Sequence, residues 1–376
     1  MRARCPVVPE RVDVGRLRPV HGGPLTPPIN GGGLRRPPTE RRIMEFLSRV
    51  GDAFRTLIDP LFQLLDQRNL FSYLGAAVFI FLAAVAIRLR RPHSGFRLRA
   101  FWRLLTKRTV WGHRSSRLDY KLYLVNLPLM VFVLGAFVVG SAFWADVFAG
   151  GLARLLGPAA VTEGTNWAIV GGIAIVQLLA LDLGYWIAHA WMHRSEILWQ
   201  FHKVHHSAEV MTPATEYRQH PVELILFGLV VAPVTGLSFA LVTHWFGTGA
   251  AQMGIYWFNV ITLVHIMTFH HVRHSHISMP FTGVLGVILH SPAHHHLHHS
   301  SDPAHFNRNM GYALSIWDWA AGTLQMPRRG QRLQLGIGAE GEAHDSVRSA
   351  FLRPFREAKA VMARRHGGDT DRGAAS

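Results

Sequence analysis

A single cysteine, Cys5, stands in the whole chain, so neither a disulfide framework nor a thiolate metal site can be built. Any bound metal must take nitrogen or oxygen donors. With one cysteine an iron–sulfur cluster is excluded as well, and no G-x-G-x-x-G follows a strand pattern to make a dinucleotide site. Acidic residues are scarce, 23 Asp and Glu against 39 Lys and Arg, which leaves a formal charge of +16. The first 43 residues lack the unbroken apolar core of a signal peptide. The alternating pattern of a half-buried soluble strand is also missing, because the apolar residues come in blocks of roughly 18 or more.

Five such blocks, at 69–88, 122–146, 166–188, 223–245 and 250–269, are read as membrane spans or paired half-spans. A shorter apolar piece, Phe281 to Leu289, suits an interfacial or re-entrant helix. Pro233 and Gly236 interrupt the fourth block, so the fourth and fifth are expected to form a hairpin that returns the chain to the side it left. The basic residues do not line a groove interleaved with aromatics, as a nucleic-acid surface would require. Eleven of them fall between Arg88 and Lys121, flanked by apolar blocks, which reads as a cytoplasmic loop beside anionic lipid. Nucleic acid is therefore not an expected partner. With that loop in the cytoplasm, the third block returns to the cytoplasm near His189, and every later histidine cluster lies on the same side.

Four regions follow: a Pro-, Gly- and Arg-rich tail over 1–43, expected to be disordered and read as an extension upstream of a start at Met44; a helix, the first apolar block and the basic loop over 44–121; a membrane domain over 122–327; and a flexible, charged C-terminal tail over 328–376. The fold class is all-α, a polytopic membrane helical domain with a cytoplasmic, histidine-rich metal-binding cap.

Nineteen of the 24 histidines lie between His189 and His305, in four groups. His189 and His193 are spaced i, i+4 on one helix face. His202, His205 and His206 put three imidazoles on adjacent faces of one turn, a spacing that can feed two metals. His270 and His274 repeat the i, i+4 spacing, with His271 and His276 nearby, and spacing alone does not say which of these point inward. His295, His298 and His299 repeat the H-x-x-H-H pattern. Left unpaired near lipid, so many imidazoles would be costly. Imidazole suits Fe, Zn, Cu and Ni rather than Mg or Ca. A closed tetrahedral zinc would use four of these ligands and leave the remainder unexplained.

The stretch Asp182-Leu-Gly-Tyr-Trp-Ile-Ala-His189 through His193, then Leu198-Trp-Gln-Phe-His202-Lys-Val-His205-His206-Ser207, resembles the fatty acid hydroxylase and sterol desaturase superfamily. So do Thr215-Glu-Tyr-Arg218-Gln-His220-Pro221, the block from Ser291-Pro292 through His295, His298, His299 and Ser300, and Asn309-Met-Gly311 with Ile316-Trp-Asp318. The resemblance runs from about 120 to 327. It departs from the family pattern at Ala190, His276 and Ala321, positions that bear on substrate rather than on the metal.

The resemblance implies a non-heme di-iron centre at the cytoplasmic ends of the spans, with O2 as co-substrate. Its ligands would be His189, His193, His202, His205, His206, His270, His274, His295, His298 and His299, with His220 a further candidate. An unactivated C–H bond has no acidic proton, so a redox metal must carry the hard step. The implied reaction is hydroxylation or desaturation of a lipid such as a sterol or fatty acyl chain. Electrons would come from an external ferredoxin- or cytochrome-type donor with its reductase. Asp182, Glu216, Glu223 and Asp318 are candidates to orient the ligands. Tyr185, Trp186, Trp191 and Trp199 are candidates to line a lipid entrance. The Ala, Gly and Arg bias points to a bacterial inner membrane. The competing reading, a metal transporter or sensor, predicts ionisable residues within the spans, which here are nearly free of them.

Overall fold

The computed structural model describes Leu82 and residues 98–161 and 166–373, all within one compact unit, Phe54–Ser376. The tail over 1–43 and all but Leu82 of the first apolar block lie outside the described residues. Among the described residues the secondary structure is helical, with two isolated β-bridges and no strand.

Two short helices, α1 (Leu98–Leu105) and α2 (Arg108–Trp111), precede three that are long and apolar enough to cross a membrane: α3 (Arg114–Leu156), α4 (Trp167–Arg194) and α6 (Pro221–His265). Between the last two lies α5 (Glu196–His206). Capping sets the boundaries. The His113 ring accepts from Ser115 N at 3.3 Å, Asn166 from Ala168 N at 3.0 Å, and Ser195 from Leu198 N at 3.3 Å. At 1.5 Å per residue, the 28 residues of α4 reach about 42 Å, well beyond a hydrocarbon layer of about 30 Å. About 12 Å of α4 thus extends beyond such a layer, and His189 and His193 lie in its last turns.

The fourth and fifth apolar blocks are continuous in α6 but fold back on each other. The break is at Gly247, whose φ of 81° and ψ of 160° are non-helical. The interruption expected at Pro233 and Gly236 is not there: the helix runs through both, and the backbone at Gly236 is packed against α3. Val242 and Ala251, from the two arms, meet at Ile173. Both free ends of the hairpin lie at the histidine side, where Glu223 faces His202 and His265 faces Tyr312.

Helix packing within the bilayer depends on close approach rather than on the hydrophobic effect. A Cβ at Gly236 would lie 2.7 Å from the Trp144 Cβ and 2.8 Å from the Ser141 carbonyl. One at Gly254 would collide with Ile173. Ser141 and Thr235 share a hydrogen bond of 3.0 Å across the same α3–α6 contact.

The cap is built from short pieces: a 3-10 turn at Pro213–Tyr217, a π turn at Ile266–His270, α7 (His271–Arg273), α8 (Val284–Ile288), α9 (Pro292–His298), α10 (Ile316–Ala320) and α11 (Ala339–Glu342). Of the interfacial piece expected over Phe281–Leu289, α8 forms the helical part, with Val284 76% and Leu285 51% exposed.

The C-terminal region expected to be flexible instead ends in a long helix, α12 (Val347–Gly373), laid against α5. Ala350, Ala358 and Val361 are buried at helical spacing, and Phe355 packs edge-on against Phe201 with ring centroids 5.2 Å apart. That apolar stripe is short and set in a charged sequence, so composition concealed an amphipathic helix.

Gly236→Val is expected to destabilise the protein by about 1–3 kcal/mol through overpacking against α3. Gly228→Ala, where a Cβ meets nothing within 4 Å, is expected to stay within about 0.5 kcal/mol of the wild type. Thermal unfolding in detergent distinguishes the two, and equal midpoints would contradict the packing described.

Candidate metal centre

Nine buried or half-buried imidazoles converge at the C-terminal end of α4 and the two ends of α6, in two groups, within each of which the ligand atoms lie within 4.8 Å of one another. The first group is His189, His193, His202, His206 and His298; the second is His205, His274, His295 and His299. Each H-x-x-H-H stretch serves both groups. Its i, i+4 pair enters one group and its i+3 member, on the neighbouring face, enters the other. Thus His202 and His206 join the first group while His205 joins the second; His295 and His299 join the second while His298 joins the first. The groups adjoin, with the His206 and His299 rings stacked at 4.4 Å.

The ring orientations test whether a cation fits. His189 Nδ1 lies 2.8 Å from the Met310 carbonyl and His298 Nδ1 2.8 Å from the Arg308 carbonyl, so these nitrogens carry the protons and donate. Their Nε2 atoms are then bare lone pairs turned inward. His189 Nε2 and His206 Nε2 each lie 3.1 Å from His202 Nε2. In the second group, His274 Nε2 lies 3.1 Å from His205 Nε2 and 2.7 Å from His295 Nε2. His193 Nε2 and His298 Nε2 are buried with no hydrogen-bond partner. Bare lone pairs at such separations repel unless a cation lies between them, so the donor set fits two nitrogen-ligated metal ions.

A carboxylate backs each group. Glu223 Oε1 is 3.0 Å from His202 Nδ1, and Glu216 Oε2 is 2.7 Å from His274 Nδ1. Such outer carboxylates fix the tautomer and raise ligand basicity. Burial alone would push the Glu216 carboxyl upward, but the Arg273 guanidinium, 3.0 Å from both of its oxygens, and the facing imidazoles hold it well below the usual range. Arg273 also lies over the rings of Tyr185 and Tyr312 at 5.7 and 4.9 Å.

Asp182 and Asp318 act one layer further out. Asp182 accepts from Ala313 N at 2.7 Å and Trp317 Nε1 at 3.0 Å. Asp318 accepts from Met310 N at 3.0 Å, Gly311 N at 2.8 Å and Trp186 Nε1 at 3.2 Å. Together they pin the loop that presents the Met310 carbonyl to His189. Arg218, bonded to Asp119 at 2.9 Å, Ser207 Oγ at 2.9 Å and the Val204 carbonyl at 3.1 Å, ties the C-terminal end of α5 to α3.

Of the ten ligands anticipated, His270 is the one the structure does not bring into either group. Its Nδ1 pairs with the Tyr312 hydroxyl at 3.0 Å, and its Nε2 faces Glu216 at 3.6 Å. His270 and His274 both face Glu216, but His270 closes the π turn and meets it from the Tyr312 side, whereas His274 carries its Nε2 on to His205 and His295. His220 caps α6 and meets the Phe351 carbonyl at 3.0 Å. His276 bonds to the Leu104 carbonyl, His294 to Ser291 and His296 to the Ser275 carbonyl. Trp199 packs on His193 and His206, and Tyr185 stacks on Phe227, whereas Trp191 is 52% exposed. Sequence reasoning missed Arg273, Tyr312 and the carbonyls of Arg308 and Met310; main-chain acceptors leave no residue-type signal.

Residues 174–323 match the model of the fatty acid hydroxylase family. Among curated proteins, an ornithine lipid hydroxylase (OlsE) from Rhizobium tropici is 30% identical over 183 residues, 48% of this chain and 50% of that protein. Alkylglycerol monooxygenases from Danio rerio and Caenorhabditis elegans are 28% and 25% identical over 39% and 41% of this chain and 29% and 27% of their own lengths. The chain thus spans half or less of these relatives. No solved structure matches it.

Glu216→Gln and Glu223→Gln are each expected to weaken metal binding by about 10–100-fold, while His270→Ala leaves the ion count unchanged; elemental analysis after dialysis against graded chelator reads both. A pH dependence also follows. Burial holds His205, His206, His295 and His299 well below the ordinary imidazole range and lowers His298 to about 3. The unfolded chain takes up these protons near pH 6.5 and the folded chain does not, so stability is lost as pH falls below that value. The unfolding midpoint of metal-free protein should therefore drop between pH 7 and 5, and a flat profile would count against the buried, neutral set.

Proposed function

We propose that this chain, a member of the fatty acid hydroxylase and sterol desaturase superfamily through residues 174–323, is an integral membrane di-iron enzyme that hydroxylates a C–H bond of a lipid. The observation that supports this most directly is the pair of adjoining, nitrogen-only groups of five and four imidazoles at the ends of membrane-length helices. Two irons bound there would supply what side chains cannot, the reduction of O2 to an oxidant strong enough to take a hydrogen atom from an alkyl carbon. The balance is one C–H bond, one O2, two electrons and two protons giving one alcohol and one water. The electrons are assigned to an external one-electron donor of the ferredoxin or cytochrome type. The names of the relatives, a hydroxylase and monooxygenases, favour hydroxylation over desaturation.

The chain's own residues have three tasks. Glu216 and Glu223 keep the Nδ1 protons of His274 and His202 in place, so that their Nε2 atoms remain donors. Tyr185, in ring contact with Phe227, Tyr312 and His189, forms an apolar wall along one side of the first group. Arg273 neutralises Glu216 inside that wall, which keeps a buried carboxylate tolerable. A transport role fits less well, since all four members of the second group are buried and the ions they hold would have no path.

The full-length protein reconstituted with ferrous iron, a reductant and a bacterial polar lipid extract under 18O2 is expected to hold about two irons per chain and to yield a lipid carrying one heavy oxygen. The His205→Ala, His206→Ala double variant should lose both. Stable incorporation of iron without any oxygenated lipid across such extracts would overturn the reading.

A further inference from the structure

The first turns of α12 sit where two of the membrane-length helices leave the cap. Val347 and Phe351 pack on Leu118 and Leu122, at the start of the apolar block of α3. The Phe351 carbonyl lies 3.0 Å from the ring of His220, the N-cap of α6, and the Phe355 ring centroid lies 5.2 Å from that of the same histidine. Exposed apolar side chains begin just beyond these contacts, with Leu124 and Val125 on α3 and Ile225 on α6. α12 is therefore held at the level where both helices enter an apolar layer.

The side that α12 turns outward is both apolar and cationic. Arg348, Leu352, Phe355 and Lys359 follow the i, i+4, i+7, i+11 spacing of one helical stripe. All four are exposed, Leu352 by 49% and Phe355 by 53%, and Arg356 stands beside them. Between 347 and 365 the helix carries six basic residues against one carboxylate, Glu357. That carboxylate is already engaged by Lys203 at 3.0 Å and Arg353 at 2.6 Å, and Arg365 is answered by Glu196 at 3.2 Å. Asp345, just before the helix, is within 3.5 Å of the Ser349 hydroxyl. Arg348, Arg356 and Lys359 have no carboxylate partner among the described residues. Water alone would leave the leucine and phenylalanine wet, and an apolar partner would leave three cations uncovered. A head-group layer answers both, because apolar side chains reach the acyl boundary while Arg and Lys extend to the phosphates.

We propose that α12 is an interfacial helix that seats its Arg348–Lys359 stripe on the anionic phospholipid head groups of the same bilayer that the long helices cross. The spans bring α12 to that surface, and the surface in turn holds the helix whose Glu357 balances Lys203, between the imidazoles of His202 and His205. Lipid charge thereby reaches the ligand helix α5 from a segment beyond residues 174–323.

The test uses the full-length protein with Cys5→Ser and a nitroxide attached at Leu352→Cys or, away from the stripe, at Ala360→Cys. In vesicles of phosphatidylcholine mixed with phosphatidylglycerol, electron paramagnetic resonance should show the label at 352 meeting O2 more readily than an aqueous nickel chelate, and the label at 360 the reverse. In phosphatidylcholine alone the ratio at 352 should fall about threefold, as the attraction of the three cations to the surface is lost. Combining Arg348→Gln, Arg356→Gln and Lys359→Gln should give that lower ratio in both lipids. The charge-keeping set Arg348→Lys, Arg356→Lys and Lys359→Arg should behave as the wild type, which separates lost charge from a helix that no longer packs. Equal nickel access at 352 and 360 in both lipids overturns the seating. Shielding that ignores phosphatidylglycerol, that appears only when an acidic soluble protein is added, or that grows with the protein-to-lipid ratio overturns anionic lipid as the occupant. The measurement needs neither bound metal nor turnover, so its outcome is separate from that of the hydroxylase reading.

Discussion

Everything in the cap is organised around one electrostatic constraint: nine imidazole nitrogens turned toward two points in a medium where charge and lone pairs are poorly screened. Left to themselves, rings at those separations would rotate away or take up protons. What holds them is a set of acceptors on the outer side of the rings. Two are carboxylates, Glu216 and Glu223, and two are main-chain carbonyls, of Met310 and Arg308. Each draws the ring proton outward, so the inner nitrogen faces the centre as a donor. The acceptors are themselves held, Met310 by the loop that Asp182 and Asp318 pin, and Glu216 by Arg273. For those four rings, His189, His202, His274 and His298, the outer acceptors and the groups that hold them support one another, which makes burying them tolerable.

The spans serve this centre by being longer than the bilayer needs. α4 carries the first histidine pair in its last turns, and the hairpin of α6 begins beside Glu223 and ends beside the π turn that leads to His274. Small residues at the contacts, Gly236 against α3 and Gly254 against Ile173, bring the helices close enough for their histidine-bearing ends to meet around so small a volume. Packing deep in the membrane and geometry at the metal are therefore one problem.

The parts of this arrangement that depend on local spacing were legible in the sequence. The i, i+3, i+4 pattern at His202, His205 and His206 anticipated a turn whose imidazoles divide between two groups, and the apolar blocks anticipated helices of membrane length. At His270 and His274 spacing left open which rings point inward, and the π turn that ends at His270 is a local irregularity that the spacing does not reveal. Pro233 misled: a proline within a membrane helix need not end it, whereas the unremarkable Gly247 does. α12 was missed because four apolar contacts are enough to dock a helix when the receiving surface is ready, and charged composition hides so narrow a stripe. The carbonyls that orient His189 and His298 had no signal at all, since any residue could supply them.

α12 lies beyond residues 174–323, yet it reaches the centre through α5. Lys203 stands between two ligands, His202 and His205, and is only 5% exposed. An ammonium so placed would raise the positive potential beside the metals and strain their binding if nothing balanced it. Glu357, on α12, lies 3.0 Å from its Nζ, and Glu340 lies 3.3 Å from it. The Phe351 carbonyl meets His220, the cap of the helix that carries Glu223. A segment outside the matched region thus sets both the charge around the ligand helix and the seat of a carboxylate behind the first group. The candidate metal centre is thus supported by residues that the histidine motifs do not include.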